Sequence, residues 1–301
     1  MRQDTTDRVR GNTSASCPSH PEKGTSNGWP ALDALSRRGP EQRARAINPN
    51  VPNVARMYDC FLGGKDNYEA DRAAAAEALR LNPDAALCAR ENRAFLGRAV
   101  RHVAKWGVRQ FLDVGTGFPS MGNVHEVAQS VHGDARTVYV DYDPVVVQHG
   151  RALLATDEHT AMVEEDLRKP GRILEQAADL LDFGRPVCVL LVACLHFVTA
   201  TEDPYRIVKW LMRSTAPGSY LVISHVIKTP KTIAAAAAYR SASAPVVLRT
   251  EEQVGRLFTA AGVEVVEPGL VRVPSWRPDL NALAGEDAAR VDFLGGVGRK
   301  A

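Results

Sequence analysis

No single sign of charge dominates the 301-residue sequence, which has 37 lysines and arginines and 35 aspartates and glutamates. The formal net charge of +2 argues against nucleic acid or an anionic membrane surface as the main partner. Long apolar runs are lacking too. The strongest candidate, residues 187–198, falls short of the roughly 18 residues that a membrane span needs, and it contains His196. We therefore expect neither a nucleic-acid-binding protein nor a membrane protein.

Cysteine is scarce and scattered. The five cysteines form no CxxC pair, and their odd number and wide spacing argue against a disulfide framework or a thiolate zinc site. The eight histidines are equally dispersed, so no metal is expected. The N-terminus lacks the apolar segment of a secretory signal. Together these absences favour a reduced, cytoplasmic protein.

Two parts of the chain differ in composition. Residues 1–46 are rich in Ser, Thr, Gly, Pro and Arg, carry eight basic and five acidic residues, and show no apolar periodicity. Such a composition predicts a disordered N-terminal tail. We expect residues 47–301 to form the folded domain, because the chain has 45% hydrophobic and 24% charged residues, close to globular averages.

Helical and alternating patterns divide the predicted domain. Residues 47–107 show apolar positions at helical spacing and predict extra helices, which we interpret as an N-terminal helical lid. In residues 108–301, short apolar strands alternate with helices, which predicts an α/β core with a mostly parallel sheet and helices on both faces. Near the C-terminus, two apolar stretches are separated by a loop-like segment, which suggests an antiparallel return at the sheet edge.

The clearest motif is a strand followed by a glycine turn. The apolar run 111–114 leads into Gly115, Thr116 and Gly117, and glycines there let a ligand approach the backbone closely. In open α/β sheets, ligands bind at this carboxyl end of the strands. Asp113 precedes the turn, where a carboxylate would repel the pyrophosphate of a dinucleotide and attract an ammonium group. The third glycine of the dinucleotide fingerprint is also missing, since Ser120 takes its place.

Two further acids follow the next two predicted strands. Asp141 lies 24 residues after Gly117, where a carboxylate can accept both ribose hydroxyls. Asp166, with the neighbouring backbone at Leu167, ends the third strand, where an adenine amine can bind. Together with Asp113, these residues describe a ligand with adenine, ribose and a charged amino-acid end but no phosphate, which fits S-adenosylmethionine. The alternative for each acid alone is a helix N-cap.

These motifs resemble a known group of proteins. The runs LDVGTG, VDYDP and EEDLR are similar to motifs I, II and III of class I S-adenosylmethionine-dependent methyltransferases. The longer runs NVARMYDCFLGGKDNYEADR, ARENRAFLGRAVRHV and DVGTGFPSMGNVHEVAQ, with LHF and the terminal GGVGRK, resemble the actinobacterial S-adenosyl methyltransferase family over residues 47–300.

The resemblance implies a Rossmann-like fold with a seven-stranded sheet whose last strand is antiparallel. It also implies S-adenosylmethionine as the cofactor, and it leaves the methyl acceptor open. One departure from the wider class is Pro119, which stands where a third glycine often occurs.

Two candidate catalytic residues lie outside the cofactor motifs. His196 follows the predicted fourth strand, where a general base could meet the acceptor, the alternative being an ordinary core or loop histidine. Tyr58 belongs to a polar cluster around Gly63 and Gly64, which we interpret as part of the lid and of the acceptor pocket. The alternative is a capped helix end at the surface. The cluster contains Tyr58, Asp59, Lys65 and Asn67.

The function that fits these features is S-adenosylmethionine-dependent methyl transfer to a small-molecule acceptor that the sequence does not identify. One alternative is an NAD-dependent oxidoreductase on a similar sheet, which the carboxylate of Asp113 argues against. Another is a regulatory protein that binds S-adenosylmethionine without catalysis.

Overall fold

A sheet of eight strands forms the centre of the protein. The computed structural model describes residues 47–120, 122–280 and 282–301, so the predicted tail, residues 1–46, lies outside the described residues. The strands are β1 (Gln110–Val114), β2 (Arg136–Asp141), β3 (Thr160–Glu164), β4 (Cys188–Val192), β5 (Tyr220–Val226), β6 (Val263–Val265), β7 (Val271–Arg272) and β8 (Phe293–Lys300). Their order is β3-β2-β1-β4-β5-β8-β6, and β7 also pairs with β8.

The direction of the strands confirms the predicted α/β sheet. Strands β1 to β5 are parallel, and β8 runs antiparallel to β5, β6 and β7. The predicted number of seven strands is wrong, because the two-residue strand β7 pairs with Leu294 and Gly295 at one end of β8. Strand β6 pairs with the other end of β8, so two short strands together cover an edge that would otherwise expose backbone groups.

Ten α-helices are found among the described residues. They are α1 (Val54–Phe61), α2 (Glu69–Leu81), α3 (Ala85–Lys105), α4 (Val124–Gln129), α5 (Pro144–Leu153), α6 (Pro170–Ala177), α7 (Pro204–Arg213), α8 (Pro230–Ala235), α9 (Glu251–Ala261) and α10 (Gly285–Ala289). The last of these lies in the segment before β8 that the sequence predicted to be a loop. None of the helices in the described residues is long and apolar enough to cross a membrane.

Two apolar layers cover the two faces of the sheet, as the alternating pattern predicted. Successive strand residues point to opposite faces, so Phe111 faces one layer while Leu112 and Val114 face the other. The first layer is completed by α3 and α4, and the second by α6, α7 and α9. Because both faces are buried, the parallel strands are almost wholly apolar.

The N-terminal helices divide between this core and a separate cluster. On the second half of α3, the apolar side chains that include Phe95 and Val103 are fully buried against the sheet. By contrast, α1, α2 and the start of α3 pack with the segment 236–239 in a third apolar cluster, which contains Phe61 and Ala238. We call α1, α2, residues 85–89 and residues 230–239 the helical cap. The proposed lid of residues 47–107 therefore shares its longest helix with the core, and its movement as a lid stays a prediction.

Candidate functional site

A cleft of about 1150 Å³, including its open mouth, lies at the carboxyl ends of β1 to β4. One wall is the glycine turn after β1, and the opposite wall is α1 of the helical cap. We call it the strand-end cleft. Helix α1 is held over it by Arg56, whose guanidinium pairs with Asp71 at 2.7 Å and lies 3.6 Å from Asp143, all three side chains being buried. The cleft is thus where the motif predicted a ligand site.

The glycine turn explains why two glycines are needed. Gly115 and Gly117 have φ angles of +76° and +66°, the left-handed region that other residues rarely adopt. A Cβ added to Gly115 would lie 2.7 Å from Cβ of Cys194, whereas one added to Gly117 would meet no atom within 4 Å. Gly115 is required by packing, and Gly117 leaves its backbone open to close approach.

Asp141 is fixed at the end of β2. Its Oδ2 accepts a hydrogen bond from the backbone N–H of Gly117 at 3.0 Å, and its Oδ1 accepts one from Asp143 at 3.0 Å. Burial raises the pKa of Asp141 to about 6, although both of these hydrogen bonds act in the opposite direction. The carboxylate lines the cleft, and it ties the glycine turn to β2.

The helix-cap alternative is wrong for the three acids predicted to bind the cofactor. The N-cap of α5 is Asp143, whose Oδ1 accepts a hydrogen bond from the Val145 N–H at 2.7 Å. Asn123 caps α4, and Lys169 stands at the N-cap of α6. Because neighbouring residues occupy the caps, Asp113, Asp141 and Asp166 keep their side chains at the cleft.

Asp113 and Arg93 form the charged end of the cleft. Asp113 is only 3% exposed, and it accepts a hydrogen bond from the Thr116 hydroxyl at 2.9 Å. Burial raises the pKa of Asp113 to about 6, with the Thr116 hydrogen bond and the charge of Arg93 opposing the shift. Arg93 donates to Asn123 at 3.1 Å, but its Nε is buried with no hydrogen-bond partner among the described residues. This end can therefore bind a group that carries both charges.

Asp166 and Leu167 lie at the other end of the cleft. Oδ1 of Asp166 accepts two hydrogen bonds from Arg168, one from the backbone N–H at 3.0 Å and one from Nε at 2.9 Å. The same guanidinium donates to Glu202 at 2.7 Å. Oδ1 of Asp166 is therefore engaged by Arg168, while Leu167 adds an apolar surface beside it.

The structure brings only half of the predicted polar cluster to the cleft. Tyr58 and Asp59 line it, whereas Lys65 is exposed and Asn67 bonds to Asp59 at 2.8 Å from outside the lining. Asp59 also accepts from the Asp66 N–H at 3.0 Å. The cluster thus closes the loop after α1, which ends at glycines as predicted.

The Tyr58 hydroxyl is engaged on both sides. It donates to the carbonyl oxygen of Ala89 at 3.0 Å and accepts from Nδ2 of Asn92 at 2.9 Å. Burial raises the pKa of Tyr58 to about 12. The phenol is therefore neutral at physiological pH and suited to hydrogen bonding more than to taking a proton.

His196 lies beside the strand-end cleft and does not line it. It lines a second cavity of about 670 Å³, which shares Val54, Tyr58 and Phe197 with the cleft. Burial, together with His225 and Arg249 nearby, lowers the pKa of His196 well below its usual value. Its imidazole is therefore neutral. The Nδ1 atom has no hydrogen-bond partner among the described residues.

Sequence reasoning missed several residues that line the cleft. Arg93 and Asn92 come from the first half of α3, and Ala193 and Cys194 follow β4. Ala193 carries a signal only in three dimensions, a φ angle of +56° that is unusual for alanine. The run ARENRAFLGRAVRHV contains Arg93 but gives it no role, because the crossing of α3 over the sheet decides which of its side chains reach the cleft.

The fold and the cleft together define a class I methyltransferase architecture, with a glycine turn and acids at the ends of adjacent strands. A family model described as S-adenosyl methyltransferase matches residues 40–301. The chain therefore belongs to this family, and it is an S-adenosylmethionine-dependent methyltransferase. The resemblance seen in the sequence is confirmed, and the oxidoreductase alternative is wrong.

Two solved structures are similar over most of the chain. One is a DUF574 family protein from Streptomyces avermitilis, with 39% identity and a TM-score of 0.79, covering 83% of this chain and 98% of that one. The other is a candidate methyltransferase from Thermobifida fusca, with 42% identity and a TM-score of 0.77, covering 83% and 96%. No curated protein matches the chain.

Proposed function

We propose that the strand-end cleft binds S-adenosylmethionine and presents its methyl group to a small-molecule acceptor. The observation that carries this proposal is the pair of buried carboxylates, Asp113 and Asp141, on either side of a glycine turn and relieved of helix capping by their neighbours. A buried carboxylate is costly unless a ligand or a hydrogen bond compensates it.

The cleft residues fit the parts of this cofactor. Asp141 is placed to accept the ribose hydroxyls, beside the glycine turn that a ligand can approach. Asp113 and Arg93 suit the ammonium and the carboxylate of the methionine end, since each carries the opposite charge. Asp166 and Leu167 suit the adenine, with Leu167 packing on the ring.

When bound, S-adenosylmethionine supplies a methyl group activated by a positively charged sulfur. The residues of the chain then have three tasks, which are to bind, to orient and to exclude water. Helix α1, held by Arg56, covers the cleft from the solvent side. Of the two candidate catalytic residues, only His196 has a buried nitrogen without a hydrogen-bond partner among the described residues, whereas Tyr58 is already bonded on both sides. Burial lowers the pKa of His196, so it is suited to accepting a hydrogen bond more than to holding a proton.

A small-molecule acceptor fits the enclosure of the site. The cleft is lined by α1 on one side and adjoins a mainly apolar cavity, so a small acceptor can lie between the helical cap and the strand ends. We keep the cytoplasm as the proposed location.

Calorimetry with S-adenosylhomocysteine and with NAD tests the cofactor assignment. We expect S-adenosylhomocysteine to bind with a dissociation constant on the order of micromolar, and NAD to give no heat of binding. Binding of NAD without a response to S-adenosylhomocysteine would overturn the proposal. Binding of S-adenosylmethionine without turnover on a broad panel of small acceptors would favour the non-catalytic alternative.

A further inference from the structure

The second cavity lies between the helical cap and the carboxyl ends of the strands. Its walls come from α1, α2, α3, α8 and the segment that contains His196. Val54, Tyr58 and Phe197 line both this cavity and the strand-end cleft, so the two spaces adjoin through a shared wall. A molecule held in the second cavity is therefore next to whatever the cleft binds.

The lining of the second cavity is mainly apolar and aromatic. Phe61, Phe197, Tyr239 and Phe293 contribute rings, while alanines at positions such as 78 and 89 leave room between them. Aromatic rings pack well against the faces and edges of other rings. The rings and small apolar side chains of the wall favour a largely aromatic occupant.

Two buried polar atoms at this cavity have no hydrogen-bond partner among the described residues. They are Nδ1 of His196 and Oδ2 of Asp292, and both residues line the cavity. Oδ2 of Asp292 lies 3.6 Å from the Lys231 ammonium, so only the imidazole nitrogen has neither a hydrogen bond nor an ion pair within the described part of the chain. Buried polar groups in proteins are almost always hydrogen-bonded, so an unpartnered one facing a cavity points to a ligand. His196 is only 5% exposed, which leaves the cavity as its source of a partner.

Among the described residues that line the second cavity, only Asp292 is charged, and two cations lie beside it. Asp292 lies 3.6 Å from Lys231 and 3.3 Å from Arg272. Behind His196, Nε2 of His225 accepts a hydrogen bond from Arg249 at 2.8 Å, and this guanidinium also donates to the carbonyls of Leu195 and Val198. An imidazole beside a buried cation stays neutral, so His196 offers a neutral polar contact, while the one carboxylate of the lining is already paired with cations.

We propose that the second cavity binds the body of the methyl acceptor, and that this acceptor is an uncharged aromatic molecule with a hydroxyl group that bonds to Nδ1 of His196. A hydroxyl both donates and accepts, so it satisfies either tautomer of the imidazole. The inference rests on the proposed function, because it assigns the substrate class of the same site.

Four naphthalene compounds test the chemistry of the cavity. They are 2-naphthol, the unsubstituted naphthalene, the anionic 2-naphthoate and the cationic 1-naphthylmethylamine. Binding is measured by fluorescence or calorimetry on the full chain saturated with S-adenosylhomocysteine. We expect 2-naphthol to bind about tenfold more tightly than naphthalene, the gain of one buried hydrogen bond. The naphthoate and the amine are expected to bind more weakly than naphthalene.

Substitutions on one helix locate the binding site. Ala235 of α8 lines the cavity, whereas Ala234 of the same helix is exposed and does not. We expect Ala235→Phe to remove 2-naphthol binding and Ala234→Phe to leave it unchanged, with S-adenosylhomocysteine binding normally to both. In His196→Leu, the affinity for 2-naphthol should fall to that for naphthalene.

The outcomes separate the two proposals. Three outcomes, each with normal binding of S-adenosylhomocysteine, would overturn the acceptor assignment. They are no binding of 2-naphthol, equal effects of the two alanine variants, and strongest binding by a charged probe. Failure of the wild-type chain to bind S-adenosylhomocysteine would instead overturn the proposed function of the cleft.

Discussion

The strand-end cleft and the second cavity share a wall but differ in how the acids of the first and the histidine of the second are bonded. The cleft also contains buried polar atoms without a partner among the described residues, such as Nε of Arg93. In the cleft, Asp113 and Asp141 are held by hydrogen bonds from Thr116, Gly117 and Asp143 before any ligand arrives. In the second cavity, Nδ1 of His196 and Oδ2 of Asp292 have no such partners among the described residues.

This difference follows from how each space is built. The acids and the glycine turn of the cleft lie at the ends of adjacent parallel strands. Each of these strand ends is visible as a local pattern in the sequence. The second cavity is assembled from segments as distant as Val54 and Phe293. A pre-bonded frame suits one fixed cofactor, while unpartnered atoms on an aromatic wall suit an acceptor that completes the site itself.

The largest effect is expected where the frame of the cleft is tightest, at Gly115. Ala in its place must adopt a φ angle of +76° and bring its Cβ to 2.7 Å from that of Cys194. Left-handed strain and overpacking together should lower the free energy of unfolding by about 2–5 kcal/mol. Urea denaturation measures this change.

The matched variant is Gly117→Ala, which has similar strain but no atom within 4 Å of the added Cβ. It should destabilise by about 1–2 kcal/mol and act mainly on cofactor affinity. Equal losses of stability in the two variants would show that the contact with Cys194 has no weight.

The sequence predicts the parts of the molecule that depend on local patterns better than the parts that depend on distant segments. The positions of Asp113 and Asp141 were predictable, because the carboxyl ends of parallel strands meet at one edge and each acid lies at the end of a strand. The capping role of Asp143 can be read from Pro144 after it, since proline is favoured at the first position of a helix. The parallel order and the antiparallel last strand were predictable from apolar runs and from the break in alternation. These are local patterns.

The rest depends on tertiary contacts. Strand β7 has two residues, too few to show a period in the sequence. His196 follows β4 as predicted, but the short 3₁₀ turn Leu195–Phe197 places it at the second cavity instead of the cleft. The apolar spacing of α3 identifies only its buried face. The place of Arg93 in the cleft with Asp113 depends on how α3 crosses the sheet.

The next effect concerns the carboxylate expected to hold the ribose. Asp141→Ala should weaken S-adenosylhomocysteine binding by about 2–4 kcal/mol, or roughly 30- to 1000-fold, since two charge-assisted hydrogen bonds are lost and water replaces them in part. Asp141→Asn should cost less, because one acceptor oxygen survives. Calorimetry provides the measurement.

Asp143→Asn is the control for Asp141, since asparagine also caps helices well and Arg56, which loses the weaker contact at 3.6 Å, keeps its 2.7 Å pair with Asp71. Its affinity for S-adenosylhomocysteine should stay within about threefold of wild type. If Asp143→Asn weakened binding more than Asp141→Asn, the ribose hydroxyls would bind to Asp143, and their assignment to Asp141 would be wrong.

Acid should separate the two cavities. The pKa values of Asp113 and Asp141 are raised to about 6, so both carboxyls take up protons as the pH falls from 7 to 5. Their folded pKa values exceed those of the unfolded chain, so this protonation favours the unliganded fold. It removes the charges that the cofactor needs.

We therefore expect the affinity for S-adenosylhomocysteine to fall by about 10- to 100-fold between pH 7 and 5, up to tenfold for each carboxyl. The neutral imidazole of His196 stays neutral over this range because its pKa lies far below the usual value. Binding of 2-naphthol at saturating S-adenosylhomocysteine should then change little. An equal loss of affinity for S-adenosylhomocysteine and for 2-naphthol would contradict a separate response of the two cavities to acid.

The smallest effect tests Arg93, a residue to which the sequence motifs assigned no role. Arg93 lines the charged end of the cleft and forms no ion pair among the described residues, so a carboxylate of the methionine end is its natural partner. Arg93→Met should weaken S-adenosylhomocysteine about tenfold, at the low end for a charged hydrogen bond, because the site is partly open to water. Arg90→Met, on the same helix but exposed and outside the cleft, should have no effect.

The decisive comparison uses 5′-methylthioadenosine, which lacks the amino-acid end. Its affinity should be the same in wild type and in Arg93→Met, whereas a loss for both ligands would place Arg93 in the support of the cleft and not at the carboxylate.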